Sequence, residues 1–312
     1  MAVSYAFTLK PRAPFQFTPH LDRFSVEGRP SPHIWLRGAR LMRVAVPTSA
    51  GLVGVDARFE GEPWSPRVEA VARAPSREAA EEAVALLGLM VRADFDYSRF
   101  VEELRGVDER LYLLASRYPG LRPGRCTSVY AALLDSIVKQ RIALPAALRV
   151  YSRLVEAYGW RLEAGGALYY WHPQADRLAA LSPDDLRRLG LTRLKARALI
   201  EVALAEVEGR LPSLREVEAD PWSVAGELTR LYGVGRWTAQ LAVAMVSPGF
   251  PLGPMSDLAV ARGLRVVLGA RDAEGAARRL LERLPGLGGL VLYLVAYEYE
   301  SLKRRGASRP PG

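Results

Sequence analysis

The hydrophobic pattern of this 312-residue chain changes its period once, and that change constrains the fold more than any other feature. Residues 40–74 alternate apolar and polar positions in segments separated by the turn-forming sequences SAG and GEPWS, as antiparallel strands do. From Tyr97 onward, apolar residues recur at helical spacing. The sequence therefore predicts an α+β protein: a small N-terminal domain with an antiparallel β-sheet over residues 1–100, then a mostly α-helical body over residues 101–305.

The composition narrows the class of protein. Hydrophobic residues make up 49% and charged residues 25% of the chain, as in globular enzymes. No stretch is long and apolar enough for a membrane span, and the first residues lack the apolar segment of a signal peptide. We therefore expect a cytoplasmic, intracellular protein that is associated with the nucleoid and has no membrane partner. The Pro- and Gly-containing tail at 306–312 is predicted to be disordered.

Few residues of this chain are suited to binding a metal. Cys126 is the single cysteine, which excludes an intrachain disulfide, a Cys-rich zinc site and a Cys-ligated iron–sulfur cluster. The three histidines, His20, His33 and His172, are too scattered for metal-ligand spacing. We expect structural roles for all three histidines and no metal site.

The charge favours a polyanionic partner such as nucleic acid, with a formal net charge of +9 and a pI near 9.8. Nearly all basic residues are arginine, which binds phosphate through a planar fork; coding bias in a GC-rich genome explains most of that preference. The chain has no Asn and only four Gln. Such a loss of thermolabile residues in a charge-rich chain indicates a thermophile.

The densest motif runs from Leu231 to Asp257: a Gly-Val-Gly turn between two helical segments, an apolar helix, and a Gly/Pro-rich loop that ends in a carboxylate. The backbone N–H groups at such a helix N-terminus can hold a phosphate. On the residues alone, the turn is equally typical of ordinary helix connections. Ser256 or Asp257 also suits the N-cap of the next helix, a role that stabilises a carboxylate anion.

The sequence LYGVGRWTA and the later Pro254-x-x-Asp257 resemble the helix–hairpin–helix–Gly/Pro–Asp superfamily of DNA base-excision glycosylases, and within it the 3-methyladenine DNA glycosylase II type. The segments SIVKQRIALPAALRVYSRLVEAYG and LAALSPDDLRRLGLTRLKARALIEVA extend the resemblance to roughly residues 5–305. It implies a helix–hairpin–helix at about residues 223–246. It also implies an enzyme that flips a damaged, alkylated base out of double-stranded DNA and hydrolyses its N-glycosidic bond.

The resemblance assigns roles residue by residue. Asp257 matches the catalytic aspartate, which stabilises an oxocarbenium-like sugar and orients the attacking water. The candidate base-pocket residues are Trp237, Leu241, Tyr293 and Tyr297. The candidate DNA-binding residues are Lys139, Gln140, Arg141, Gly233, Val234, Gly235 and Arg236, with Arg141 at the position that fills the gap left by the flipped base. No cofactor is implied beyond a monovalent cation on the hairpin carbonyls, and we expect a monomer.

Trp237 stands where relatives that also cleave the strand carry a lysine nucleophile, so the resemblance implies a monofunctional enzyme that leaves the strand intact. Lys195 is expected to be structural or to face phosphate. The chain departs from the family pattern at Ser256, at Leu241 and near the C-terminus, where tyrosines replace an expected tryptophan. Two alternatives therefore stay open: a glycosylase for 8-oxoguanine or another non-alkylated lesion, and a non-catalytic DNA-binding protein.

Overall fold

A computed structural model describes residues 3–307 of the chain. Its N-terminal part contains a five-stranded antiparallel sheet in the order β1-β5-β4-β3-β2. The strands are β1 (Val3–Leu9), β2 (Ile34–Leu36), β3 (Leu41–Thr48), β4 (Gly51–Glu60) and β5 (Arg67–Ala74). Two helices accompany them: α1 (Thr18–Phe24) and α2 (Arg77–Met90). The predicted strands at 40–74 are confirmed as the three central strands of this sheet.

The alternation of side chains explains how this sheet is covered. Along β5 every second residue is buried, and α2 packs its apolar face against the sheet. Ser76 caps α2 by accepting a hydrogen bond from the backbone N–H of Ala79 at 3.2 Å, a role for which serine is strongly preferred. The sheet and α2 thereby form one hydrophobic core.

The rest of the described chain is mostly helical. Its helices are α3 (Tyr97–Arg105), α4 (Glu109–Arg117), α5 (Val129–Lys139), α6 (Leu144–Tyr158), α7 (Ala175–Ala179), α8 (Pro183–Arg187), α9 (Arg193–Val207), α10 (Leu214–Ala219), α11 (Pro221–Leu228), α12 (Arg236–Val246), α13 (Leu258–Leu268), α14 (Ala273–Arg283) and α15 (Gly288–Ala307). Helices α5, α6, α9, α11 and α12 share a second core, and α3, α4, α13, α14 and α15 share a third. The predicted α+β architecture, with a small antiparallel sheet followed by a helical body, is confirmed.

One element of the helical region was not predicted: a β-hairpin formed by β6 (Gly159–Ala164) and β7 (Ala167–Pro173). It packs against the N-terminal sheet, where the ring of Tyr169 lies over Gly54 so closely that a Cβ there would approach it to 2.9 Å. The hydrophobic core of the sheet therefore includes residues from both sides of residue 100. The domain boundary predicted there stays a prediction. Helix α15 includes the first two residues of the predicted tail, and residues 308–312 lie outside the described part.

Buried guanidinium groups join the N-terminal part to the helices. Arg122 is fully buried, and its N–H groups donate to the backbone carbonyls of Pro14, Arg92, Phe95 and Gly120. Burial lowers the pKa of this guanidinium, while the carbonyl oxygens and the aromatic rings stacked against it offset the cost of burying its charge. Within residues 3–307, no helix combines the length and apolarity that a membrane crossing requires.

Candidate active site

The helix–hairpin–helix consists of α11 and α12, joined by residues 229–235. Gly233 has a φ of +76°, and a Cβ there would lie 2.5 Å from the Cβ of Ala198 on α9, so only glycine fits this position. Val234 is buried and anchors the turn to the helical core. Gly235 caps α12 without a side-chain acceptor, and the first N–H groups of this helix, beside the exposed Arg236, remain available to an anion.

Asp257 lies at the N-terminus of α13 and bonds two elements at once. Its Oδ1 accepts from the backbone N–H groups of Ala259 at 2.8 Å and Val260 at 3.2 Å, which confirms it as the N-cap. Its Oδ2 accepts from Nε1 of Trp237, in the first turn of α12, at 2.9 Å. These donors and the helix N-terminus stabilise the carboxylate anion. The structure thus brings two of the sequence-predicted residues, Trp237 and Asp257, into direct contact.

The loop after α5 is bonded to the hairpin. Gln140 ends α5, and its Nε2 donates to the carbonyl of Gly233 at 2.8 Å and to Oγ1 of the buried Thr238 at 2.9 Å. Arg141 follows at the surface in the left-handed region, with a φ of +51°. Gln140 therefore holds the loop in place with its amide nitrogen, while Arg141 projects from it.

Both lysines near this loop are engaged within the protein. Lys139 forms an ion pair with Asp135 one turn earlier, and its Nζ lies 5.4 Å from the ring centroid of Phe24 on α1. Lys195 is buried on α9 and donates from Nζ to the carbonyl of Val138 at 2.8 Å, so it binds the C-terminal end of α5. Burial lowers the pKa of Lys195. Of the two roles expected for Lys195, the structure supports the structural one.

An aromatic cluster between α1 and α15 adds residues that sequence reasoning missed. His20 of α1 forms a hydrogen bond of 3.1 Å between Nδ1 and the hydroxyl of Tyr293, and Phe24 lies with its ring centroid 6.4 Å from that of Tyr293. Tyr297 lies one turn further along α15, 6.2 Å from Tyr293 between ring centroids. His20 and Phe24 are more than 260 residues from Tyr293 in sequence, so no local pattern indicates that they meet.

Leu241 occupies the turn of α12 after Trp237 and is half-buried, on the helix that also carries the contact to Asp257. The segment that follows this helix is fixed by Arg92, a second buried arginine. Its Nη1 donates to the carbonyls of Ser247 at 2.9 Å and Pro248 at 2.8 Å, and its guanidinium lies 4.4 Å from the ring centroid of Phe250. Arg92 was not singled out from the sequence, because its carbonyl acceptors come from a distant segment.

Among the cavities of the described residues are two of different size, and Met255, two residues before Asp257, lines the larger one. A groove of about 650 Å³ runs between α11, α12 and α14, past Arg236 and Gln240, and a smaller one of about 260 Å³ lies beside Phe15 and Arg40 in the N-terminal part. Asp257 itself is half-buried between the first turn of α12 and the N-terminus of α13. Across the described residues, no group of three or more His, Cys, Asp or Glu side chains is placed to bind a metal.

Comparisons with known proteins agree with this geometry. Residues 134–285 match the family described as HhH-GPD superfamily base excision DNA repair protein. The chain is 33% identical over 133 residues to DNA-3-methyladenine glycosylase 2 of Escherichia coli, covering 43% of this chain and 46% of that protein. It is 27% identical over 188 residues to a DNA-3-methyladenine glycosylase of Bacillus subtilis, covering 60% and 61% of the two chains.

The fold matches a solved structure over nearly its whole length. A 3-methyladenine DNA-glycosylase from Archaeoglobus fulgidus superimposes with a TM-score of 0.80 at 23% identity, covering 95% of this chain and 99% of that one. By contrast, the sequence matches to the two bacterial enzymes span only about half of their lengths. The residues that match this family, 134–285, include the hairpin and Asp257.

Proposed function

We propose that this HhH-GPD protein is a monofunctional DNA glycosylase of base-excision repair that removes a damaged, alkylated base from double-stranded DNA. The observation that carries the proposal is the hydrogen bond from Nε1 of Trp237 to Oδ2 of Asp257. It joins the carboxylate to the first turn of the helix whose N-terminus would hold a DNA phosphate. The chain is similar to proteins named DNA-3-methyladenine glycosylase, and this similarity supports the proposal.

The reaction breaks the bond between the sugar C1′ and the base nitrogen. The departing base takes the bonding electrons, the sugar acquires oxocarbenium character, and a water oxygen then bonds to C1′ and loses its proton, leaving an abasic site. Asp257 has the chemistry for both stages, because its anion opposes the developing positive charge and its oxygens can orient or deprotonate water. Trp237 keeps the carboxylate in place but supplies no nucleophile.

DNA binding is assigned to the elements around this carboxylate. The N–H groups of the hairpin turn and of α12 would hold one backbone phosphate without reading sequence. Flipping a base costs a few kcal/mol, less for a damaged one, and the exposed Arg141 is placed to enter the duplex and offset that cost. Gln140 supports Arg141 through its hydrogen bonds to the hairpin. The N–H groups proposed to bind phosphate and the proposed inserting residue, Arg141, are thereby connected.

An intact strand after base release is the second part of the proposal. Strand cleavage by related enzymes needs a lysine that attacks C1′, and this chain has Trp237 at that position. Lys139 is paired with Asp135, and Lys195 is bonded to the end of α5. Both lysines are therefore held in structural contacts.

The test is base release from methylated DNA, measured by chromatography, for the wild-type protein and for Asp257→Asn. We expect the variant to lose release by about a hundredfold to a thousandfold, the size of loss seen when a charge-stabilising catalytic group is removed, while duplex affinity changes little. Asp272→Asn is the matched control, because Asp272 caps α14 in the same way, accepting from Gly275 N at 3.0 Å. Unchanged release by Asp257→Asn would overturn the proposal.

The same assay separates the alternatives. Salt-sensitive duplex binding with no product from any lesion would indicate a non-catalytic DNA-binding protein. Release confined to 8-oxoguanine duplexes would indicate the other lesion class. Strand nicking without added base or heat would refute the monofunctional assignment.

Four further properties belong to the proposal. The chain acts as a monomer, since one chain supplies the carboxylate, the hairpin and Arg141. It works inside the cell at the nucleoid, where its substrate is, and its composition fits a thermophile. The hairpin carbonyls would hold a monovalent cation, although that of Gly233 already accepts from Gln140. Gel filtration, a thermal melt and duplex affinity in K⁺ against a bulky organic cation test these properties.

A further inference from the structure

The larger groove, of about 650 Å³ between α11, α12 and α14, has the size of a site for a small ligand. Its walls include the indole of Trp222 on α11, which is 45% exposed, and the buried side chains of Met255 and Leu281. On α12 it is lined by Arg236 and Gln240, which share one face of the helix because they are four residues apart. The groove therefore combines apolar walls with a few polar groups, as ligand sites do.

A buried amide group opens into this groove. Gln240 is 4% exposed, and its Oε1 accepts from the backbone N–H of Met255 at 3.3 Å. Its Nε2 has no hydrogen-bonding partner among residues 3–307, but it retains contact with solvent. Side-chain amides at such depth are normally hydrogen-bonded through both of their polar atoms. The N–H groups of Gln240 are therefore donors that a ligand in the groove can satisfy.

Charged side chains stand at the surface of the groove. Arg278 on α14 is exposed and has no ion-pair partner within the described part of the chain, although Glu282 follows it by four residues. Arg236 is also exposed and lies 4.0 Å from Glu274, at the limit of an ion pair. Both guanidinium groups are therefore available to a phosphate, which arginine binds through its planar fork. The carboxylate of Glu282 can accept from an exocyclic amino group of a base.

The ring of Trp222 is free for stacking. In the described residues, no other aromatic ring and no cation lies over it, whereas the ring of Tyr232 in the hairpin turn is covered by Arg197 at 4.2 Å. One turn after Trp222, Gly226 leaves the wall of the groove open, because a Cβ there would meet nothing within 4 Å. An exposed aromatic ring beside basic groups is the arrangement on which proteins stack unpaired bases.

The groove also begins where DNA is proposed to bind. Arg236 is the first residue of α12, and the N–H groups at this end of the helix are proposed to hold a backbone phosphate. A DNA strand held there can place a neighbouring nucleotide in the groove, whereas a peptide has no such attachment. The position of the groove therefore favours DNA over a protein segment as its occupant.

We propose that the groove between α11, α12 and α14 binds one unpaired nucleotide of a DNA strand. Its base stacks on Trp222 and presents an acceptor to Gln240, and its phosphate binds Arg278. A base within an intact duplex reaches such a site only at the cost of unpairing and unstacking, so the groove serves single-stranded or gapped DNA. The inference goes beyond glycosylase activity and rests on the proposed function only through the phosphate contact at the hairpin.

The experiment measures the affinity of each variant for a short single-stranded oligonucleotide and for the same sequence as a fully paired duplex, by fluorescence anisotropy. We expect Trp222→Ala to weaken single-strand binding about tenfold, the size of effect produced by losing one base stacked on an aromatic side chain. Duplex affinity should change less than about twofold, because neither Trp237 nor Asp257 lines the groove. Trp64→Ala is the matched control, since Trp64 is an exposed tryptophan in the turn between β4 and β5.

A second pair of variants blocks the groove without removing a side chain from it. Gly226→Phe places a ring in the open space beside Trp222 and should reproduce the effect of Trp222→Ala. Gly226→Ala is its control, because the added methyl group meets nothing within 4 Å and leaves the groove open. Equal losses on single strands and duplex in Trp222→Ala and Gly226→Phe, or no loss on either DNA, would overturn the inference.

Tryptophan fluorescence identifies the occupant. We expect dAMP to quench the fluorescence of the wild-type protein and of Trp64→Phe more than that of Trp222→Phe, and inorganic phosphate to quench none of them. Quenching by dAMP without any loss of single-strand affinity in the variants would indicate a site for free nucleotides and overturn the assignment to a DNA strand. Quenching by the acidic peptide acetyl-Asp-Leu-amide, and not by dAMP, would assign the groove to a protein segment instead.

Base release from methylated duplex by the wild-type protein tests the proposed function separately. If no base is released while Trp222→Ala weakens single-strand binding alone, the glycosylase proposal fails and the groove keeps its assignment. If base is released and the groove variants bind single strands as the wild type does, the assignment of the groove fails alone.

Discussion

At the scale of single residues, the proposed chemistry depends on Trp237. An indole cannot attack a sugar carbon, but its N–H can donate one well-directed hydrogen bond, and it donates that bond to Asp257 at 2.9 Å. The other oxygen of Asp257 is engaged by the first N–H groups of α13. The carboxylate is therefore held from two directions, which in the proposed reaction would limit the reorganisation needed as charge develops at the sugar.

Trp237→Phe should lower the rate of base release about tenfold to a hundredfold, because a hydrogen bond to a charged group contributes about 1.5–3 kcal/mol. Duplex affinity should change little, since the hairpin N–H groups remain. Single-turnover release and fluorescence anisotropy measure the two quantities. Trp64→Phe serves as the control, since Trp64 is exposed in the turn between β4 and β5, and a rate equal to wild type in Trp237→Phe would contradict the role given to the indole.

At the scale of elements, the site depends on how α5, α9 and α12 are joined. Lys195 of α9 donates to the carbonyl of Val138 at the end of α5. Gln140, the next residue but one, donates to the Gly233 carbonyl before α12 and to the Thr238 hydroxyl in its first turn. The loop that carries Arg141 is thus held by two neighbouring helices. Because Arg141 itself is exposed, the support of the loop by Gln140 and the DNA contact proposed for Arg141 reside in different side chains and can be separated by mutation.

Gln140→Leu should lower both stability and base release. It leaves the Gly233 carbonyl and the buried Thr238 hydroxyl without their partner, a cost of about 1–3 kcal/mol in the free energy of unfolding, and it loosens the loop. Arg141→Ala should lower release while leaving stability within about 0.5 kcal/mol, as expected at an exposed position. Urea denaturation measures the stability of both variants, and release assays measure their activity. Equal losses of stability in Gln140→Leu and Arg141→Ala would contradict the separate roles given to the two residues.

Local signals explain which elements the sequence predicts. The caps at Ser76, at Ser182 with Asp185, and at Asp257 are each formed by neighbours within three residues, and all three are present. The hairpin β6–β7 also has a local signal, Gly165-Gly166 between alternating segments, with both glycines at positive φ. The helical spacing assigned from Tyr97 onward covers residues 159–173, and this is why the hairpin was not predicted.

Long-range contacts could not be predicted in the same way. Nothing near His20 in sequence indicates that its ring bonds Tyr293 and Gly124, and nothing near Arg92 indicates that it binds the carbonyls before Phe250. Such contacts arise from packing between elements. The sequence thus predicts the Asp257 cap and the hairpin, which have short motifs, but not the contacts between α1 and α15.

At the scale of the whole molecule, Arg122 connects the N-terminal segment to the helices through backbone carbonyls from several segments. Arg122→Met keeps a long side chain but leaves those carbonyls unpaired in a dry environment. We expect a loss of about 3 kcal/mol or more in the free energy of unfolding, since each unsatisfied buried group costs about 1–3 kcal/mol. Arg99→Met, at an exposed helix position, should change stability by less than about 0.5 kcal/mol in the same denaturation experiment.

The three histidines make the stability of the whole chain depend on pH. Burial lowers the pKa of His33 to about 4 and of His172 to about 3, and it lowers that of His20 well below the ordinary value. His172 is held by the hydroxyl of Tyr151 at 2.5 Å in the core. In the unfolded chain each histidine binds a proton near pH 6.5, so between these values the unfolded state carries more protons than the folded state.

Stability should therefore be independent of these groups above about pH 7 and should fall as the pH drops below 6.5, because protons bind the unfolded chain preferentially. For His172 alone the loss amounts to about 2 kcal/mol at pH 5, the free energy of protonating a group of pKa 6.5 that stays neutral when folded. Urea denaturation from pH 7.5 to 5 measures this dependence. His172→Asn should reduce the slope of the unfolding free energy against pH by close to the equivalent of one bound proton. An unchanged pH dependence in that variant would show that His172 is protonated in the folded protein, contrary to its burial beside Tyr151.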